Sequence, residues 1–186
     1  SAVTRDYLLE PNTTAAPLLS VWGGKITTFR KLAEEAADEV GRPLGDRRPA
    51  WTHGAFLPGG DLAEWIGPAD RPDHDFERLL QALAVRHPWL PRPLARRLAR
   101  AYGARVALVL GTAERLGDLG AEVAPGLREA ELRYLQREEW AANGDDVLWR
   151  RSKLGLHLDA PARERVRAWM NQHALASEHA ATPMTT

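Results

Sequence analysis

The chain contains no cysteine. Thiol catalysis, a disulfide framework, a cysteine-ligated zinc site and an iron–sulfur cluster are all excluded by that absence. Excess charge is also missing, because 25 Lys plus Arg balance 25 Asp plus Glu. An overall basic binder of nucleic acid is disfavoured on that ground, although a local basic face remains compatible. No nucleic-acid partner is expected. Long apolar runs are absent too. The run near the middle, Val106-Ala107-Leu108-Val109-Leu110, falls far short of the ~20 residues that cross a bilayer as a helix. The opening residues show no charged stretch followed by an apolar one, so no secretory signal is expected and a cytosolic setting fits.

What is present suits one domain, or one domain with a tail: 186 residues, 44% of them hydrophobic. Seven tryptophans are many for this length, and each is expected to find a buried place. The six histidines, at 53, 74, 87, 157, 173 and 179, are scattered, with no two at helical i, i+4 spacing beside an acid. No metal site is expected from them.

The opening differs from the rest. Leu18-Leu19-Ser20-Val21-Trp22 before Gly23-Gly24 reads as a strand and a turn, and residues 3–9 read as a second strand. Two short strands cannot make a domain of their own, so they look like the edge of something larger. A helix is then expected over 28–40, capped by Thr27 or Thr28 and stopped by Gly41 and Pro43. Residues 41–72, rich in Gly and Pro, read as an irregular connection. Further helices are expected from Asp73 to His87, from Pro93 to Tyr102, over 105–110, over 127–142, over 145–153, and after a cap at Asp159. The fold class is all-α: a bundle-like domain of about five to seven helices behind a short extended leader. The divisions are 1–27 as the leader, 28–176 as the helical domain and 177–186 as a disordered tail.

Few residues carry recognisable chemistry. Gly23-Gly24-Lys25-Ile26-Thr27-Thr28 joins a strand to a helix start. Glycines admit a ligand close to the backbone, and free amides at a helix start suit an anion or a carbonyl oxygen. An ordinary strand–turn–helix connection fits the same residues. The pattern is not a P-loop. Arg5, in Thr4-Arg5-Asp6-Tyr7, reads either as a surface ion pair or as an anion clamp converging with Lys25. Arg92, Arg96 and Arg100 share a helical face, with Arg97 beside them. That face reads as solvated, or as attractive to an acidic partner or anionic lipid. Glu131 and Glu138 lie near Tyr134 and Leu127, and Arg150 and Arg151 are the expected cations for a structural ion pair.

A family resemblance rests on longer motifs. Leu18-Leu19-Ser20-Val21-Trp22-Gly23-Gly24-Lys25-Ile26-Thr27-Thr28-Phe29-Arg30-Lys31-Leu32-Ala33-Glu34 resembles the end of the flavin domain of the aerobic, FAD-dependent glycerol-3-phosphate dehydrogenases. Trp51-Thr52-His53-Gly54-Ala55-Phe56-Leu57-Pro58-Gly59-Gly60-Asp61 and Glu139-Trp140-Ala141 follow in order. Asp145-Asp146-Val147-Leu148-Trp149-Arg150-Arg151-Ser152-Lys153-Leu154-Gly155 completes the match. Asn143 and Ser152 stand where Thr is common in that family; both are small and polar.

The resemblance implies a C-terminal helical domain behind the last strands of the flavin domain. No Gly-x-Gly-x-x-Gly fingerprint is present, so the chain is expected to be a piece of a longer enzyme, without a complete flavin cradle and non-catalytic alone. It implies oxidation of sn-glycerol 3-phosphate to dihydroxyacetone phosphate, with electrons passing through FAD to quinone at the inner face of the cytoplasmic membrane. It implies roles for Arg5 as catalytic and substrate-binding, for Lys25 as substrate-binding, and for Gly24, Lys25, Ile26 and Thr27 as cofactor-binding. The implied partners are the enzyme's own N-terminal FAD domain, a second copy in a homodimer, and quinone at the membrane surface. No cofactor is expected in this chain alone. The other reading is a free-standing helical module that binds an acidic partner or anionic lipid through its Arg-rich face.

Overall fold

The computed structural model describes residues 6–174. The chain forms two units, Ser1–Phe56 and Leu57–Thr186. The sequence reading divides the chain after residue 27, whereas this grouping keeps the leader with the helix that follows it. The tail expected at 177–186 lies outside the described residues.

In the first unit, β1 (Tyr7–Asn12) and β2 (Leu18–Gly23) pair antiparallel over six positions, from Tyr7 opposite Gly23 to Asn12 opposite Leu18. The strand expected over 3–9 begins at Tyr7 among the described residues and extends beyond residue 9 through Pro11 and Asn12. The Tyr7 hydroxyl donates to Glu35 Oε2 at 2.8 Å and ties β1 to α1 (Phe29–Leu44). That helix runs through Gly41 and Pro43, the residues expected to stop it. Proline costs a helix the bond its own N–H would make, and in a last turn little of the helix remains to lose. The end is instead closed by backbone bonds from Gly45 N–H to the Arg42 carbonyl and from Asp46 N–H to the Gly41 carbonyl. Neither threonine caps α1 through its side chain. A tight turn, Ile26–Thr28, precedes the helix, and the Thr28 hydroxyl folds back to donate to the Lys25 carbonyl at 3.0 Å.

The second unit carries the core. Its helices are α2 (Ala63–Ile66), α3 (Pro72–Arg86), α4 (Arg92–Tyr102), α5 (Val106–Leu110), α6 (Glu129–Glu139) and α7 (Ala160–Gln172). Leu79 and Leu83 from α3, Leu98 from α4 and Val106 from α5 meet Leu132 and Leu135 from α6 and Val166 and Met170 from α7. A mostly helical fold follows, as the periodicity predicts. Two elements differ from the reading. Residues 127–128 begin no helix but form a strand, β4 (Leu127–Arg128), paired with β3 (Glu122–Ala124). The segment Asp146–Arg151 is a wider π-type helical turn. Its start is capped reciprocally: Asn143 Oδ1 accepts from Asp146 N–H at 3.0 Å, while Asp146 Oδ2 accepts from the Ala142 and Asn143 amides. Asn143 therefore serves well where threonine is common. Asp159 caps α7 as expected, accepting from Ala162 N–H at 2.8 Å.

The expectation that every tryptophan is buried is corrected. Trp169 is buried, whereas Trp22, Trp51 and Trp140 expose 59%, 73% and 83% of their surface. Indole carries a polar N–H as well as apolar area, so it tolerates a half-wet position. Trp22, for example, donates to Glu10 Oε2 at 3.1 Å.

Candidate functional site

The residues the sequence singles out lie in the first unit, where β2 passes into α1. Gly24, Lys25, Ile26 and Thr27 are contiguous there and all exposed. Gly23 and Gly24 both take positive φ, +75° and +103°. A Cβ on Gly24 would make ordinary contacts with Leu32 at 3.4 Å and Tyr7 at 3.8 Å, so the positive φ, not space, disfavours a larger residue there. The pair turns the chain sharply out of the hairpin and leaves Lys25 extended, at φ −118° and ψ 151°. Among the described residues, the amides of Ile26 and Thr27 donate to no acceptor, and Lys25 forms no ion pair. The loop therefore offers two free N–H donors and one cation to solvent. It can hold an anionic or carbonyl oxygen. It contains no acid–base pair. Arg5 lies outside the described residues, so its convergence with Lys25 is not part of this geometry.

The first unit has a further property. Among residues 6–56 none is buried, and Leu8, Leu18, Val21, Trp22, Ile26 and Phe29 are all exposed. Ile26 exposes 89% of its surface. Burial of apolar area is the main force that holds elements together, and here the hairpin and α1 bury little of it.

A second cluster of polar chemistry is buried in the other unit. Glu131, on α6, receives Arg97 from α4 in a two-pronged ion pair at 2.8 and 2.5 Å, and Tyr102 Oη donates to it at 2.7 Å. Arg97 also donates to the Gly126 carbonyl at 2.5 Å. Burial opposes the charge of Arg97, but the hydrogen bonds and charge of Glu131 outweigh it and hold the guanidinium protonated. Burial, then the Glu131 charge, push Tyr102 well above the usual phenol range. Burial, followed by the charge of Glu139, pushes Tyr134, edge-on to Tyr102, up to about 12. Glu138 pairs with Arg105 at 3.0 Å. The expected partners Arg150 and Arg151 are engaged elsewhere: Arg150 binds Asp146 at 2.8 Å and Arg151 donates to the Glu139 carbonyl at 2.6 Å. Arg97 is 34 residues from Glu131, and no local spacing signals such a pair. With both carboxylate oxygens of Glu131 engaged, this cluster locks α4 to α6, while Arg97 Nε and the Tyr134 hydroxyl are buried beside it without a hydrogen-bond partner.

The chain thus joins a unit that carries a glycine–lysine loop to a second unit that is mostly helical. Comparison with known proteins identifies its family. The family model for the C-terminal domain of alpha-glycerophosphate oxidase matches residues 50–181. The chain belongs to that family. The aerobic glycerol-3-phosphate dehydrogenase of Escherichia coli is 42% identical over 174 residues, covering 92% of this chain and 33% of the relative. The glycerol-3-phosphate dehydrogenase of Pseudomonas aeruginosa is 42% identical over 185 residues, covering 98% and 33%. The D-erythritol 1-phosphate dehydrogenase of Brucella abortus is 40% identical over 178 residues, covering 95% and 34%. The chain spans about a third of the length of these curated relatives.

Proposed function

We propose that this chain is the C-terminal part of a flavin-dependent dehydrogenase that oxidises sn-glycerol 3-phosphate to dihydroxyacetone phosphate and passes electrons to quinone at a membrane surface. The observation that carries the reading is the 42% identity to two glycerol-3-phosphate dehydrogenases along nearly the whole chain. The D-erythritol 1-phosphate dehydrogenase sets the wider class, since both substrates named by these relatives are phosphates of a polyol.

The loop's chemistry suits that class. Lys25, extended and without an ion pair among the described residues, meets the substrate phosphate as a point charge. The amides of Ile26 and Thr27, with Gly24 before them, would help hold the flavin, and the nearby start of α1 would favour negative charge on it. Arg5 is the second cation for the substrate. FAD, when bound, would supply the hydride acceptor for oxidation of the substrate's C2 alcohol, and the hydroxyl proton would pass to a base among residues of the longer polypeptide, since this loop holds none. The loop is one edge of such a site, and the dinucleotide fingerprint that would cradle the rest is absent from the sequence. Residues that precede this chain in a longer polypeptide complete the site and cover the exposed apolar side of the hairpin. Leu57–Thr186 serves as the packing and docking domain.

Titration with FAD, followed by quenching of flavin fluorescence, tests this reading. The chain alone should show no saturation at tens of micromolar, corresponding to binding weaker than roughly −6 to −7 kcal/mol. In the longer polypeptide, Lys25→Ala should raise KM for glycerol 3-phosphate at least ~10-fold, the loss of about 1.4 kcal/mol of phosphate attraction. Tight flavin binding by the chain alone, or an unchanged KM in that variant, would sink the proposal.

A further inference from the structure

A cleft of about 570 Å³ opens between α3 and α4, lined by apolar Leu80, Ala84 and Trp89, by the cation Arg92 and by Glu77, whose carboxylate is held by Arg96. From Arg92 the exposed face of α4 continues through Arg96 and Arg100, about 12 Å along the helix at 1.5 Å per residue. The guanidinium groups of Arg96 and Arg100 lie over the Phe76 ring, 5.2 and 5.6 Å from its centre. α4 itself, RPLARRLARAY, contains no acidic residue. Among the described residues Arg96 pairs with Glu77 at 3.1 Å, whereas Arg92 and Arg100 have no carboxylate partner. Arg92 thus stands without a carboxylate partner at the recess, and Arg100 without one further along the same exposed face of α4, in a chain of zero net charge.

We propose that this surface docks an acidic polypeptide segment bearing one apolar anchor side chain. The anchor fills the recess between Leu80, Ala84 and Trp89, and carboxylates on either side of it meet Arg92, Arg96 and Arg100. Cation–π contact with Phe76 holds Arg96 and Arg100 near this face in advance, so less rotamer freedom is lost when they engage carboxylates. The shape favours a peptide over a lipid surface. A membrane-binding face presents protruding apolar side chains beside its cations, but the apolar feature here is a recess, and Trp89 is half-buried. The inference concerns the Leu57–Thr186 unit alone and does not depend on the flavin reading.

The test uses the whole chain and a fluorescein-labelled synthetic peptide in which one Phe is flanked on both sides by glutamates. Fluorescence anisotropy should show saturable binding with Kd on the order of 10 μM, weakened about tenfold between ~0.05 and ~0.5 M salt. The peptide with lysines in place of glutamates should not bind, and Phe→Ala in the peptide should weaken binding at least ~5-fold. Arg92→Glu with Arg100→Glu should abolish binding, and Arg92→Gln with Arg100→Gln should weaken it in the same direction. Circular dichroism should stay unchanged in both, because neither side chain forms an ion pair among the described residues. Ala84→Trp, which fills the recess, should erase the advantage of the Phe peptide over its Ala control. Failure of the glutamate peptide to bind, equal binding of the lysine peptide, or indifference to the charge reversal would overturn the proposal. So would capture by phosphatidylglycerol vesicles, lost in the charge-reversed variant, with no peptide binding; that result would assign the face to lipid.

Discussion

Glu131 shows how much one side chain can decide. It is 2% exposed, and it is tolerable there because Arg97 and Tyr102 satisfy its oxygens at hydrogen-bonding distance. Removing one partner of a buried pair leaves the other charge uncompensated, at a cost of roughly 3–5 kcal/mol. Glu131→Gln should therefore lower stability by about 3 kcal/mol in urea unfolding, whereas Arg150→Gln, at an exposed pair, should change it by less than ~1 kcal/mol. Equal effects would mean that Arg97 does not meet Glu131 in solution. The neighbouring phenols make a second expectation. Tyr134 is pushed up to about 12 by burial and Tyr102 further still, while an unfolded tyrosine ionises near ~10. Tyr7 is raised as well, first by its hydrogen bond to Glu35. Absorbance near 295 nm should thus show little tyrosinate in the folded chain at pH ~10.5, and a full rise on unfolding. The sign follows from linkage: the unfolded state loses these protons first, so stability is intact below pH ~10 and falls as pH rises above it.

At the scale of elements, two features depend on backbone that few residues accept. Gly59 and Gly103 cross face to face, with Ala104 N–H bonded to the Gly59 carbonyl at 2.9 Å. A Cβ on Gly59 would overlap the Tyr102 carbonyl oxygen, and Gly59 lies at φ +84°. Gly59→Ala should cost about 2–4 kcal/mol by combining overlap with left-handed strain. Trp140 is the opposite case. It closes α6 at φ +55° with its indole 83% exposed, a conformation for which glycine is better suited. Trp140→Gly should raise stability by about 0.5–1 kcal/mol, read as a higher urea midpoint; a lower midpoint would mean that the indole packs in solution.

The helices were largely legible before the fold was known. Apolar periodicity located α3, α4, α5 and α7, because a helix buried on one side must repeat its contacts every three to four residues. The ends were less legible. Pro43 could not stop α1 once Gly45 and Asp46 closed it, and residues 127–128 went to a strand because β3 lay alongside to pair with them. Within the site, the glycine–lysine loop and its connection from strand to helix were readable from residue types alone. The side-chain cap expected from threonine was not, since the extra turn at Ile26–Thr28 redirects the Thr28 hydroxyl.

The whole molecule divides its stability unevenly. All the buried apolar residues lie in Leu57–Thr186, and none in the described part of Ser1–Phe56. Cooperative unfolding should follow the second unit, because burial supplies the main favourable term. A chain lacking residues 1–56 should melt within ~5 °C of the whole, and hydrogen exchange should be fastest across the hairpin and α1. A loss of much more than that would show that the first unit contributes stability that its exposure does not suggest.

By itself the sequence determined the helical class, the motif run that places the chain in its family, and the loop whose glycines and lysine suit an anion. Each of these is written in neighbouring residues, where periodicity and turn chemistry act over a few positions. Only the tertiary structure decided which cation answers Glu131, which tryptophans stay exposed, and that Arg92 borders the cleft between α3 and α4. Arg97 and Glu131 are 34 positions apart, and there packing, not local spacing, selects which residues meet.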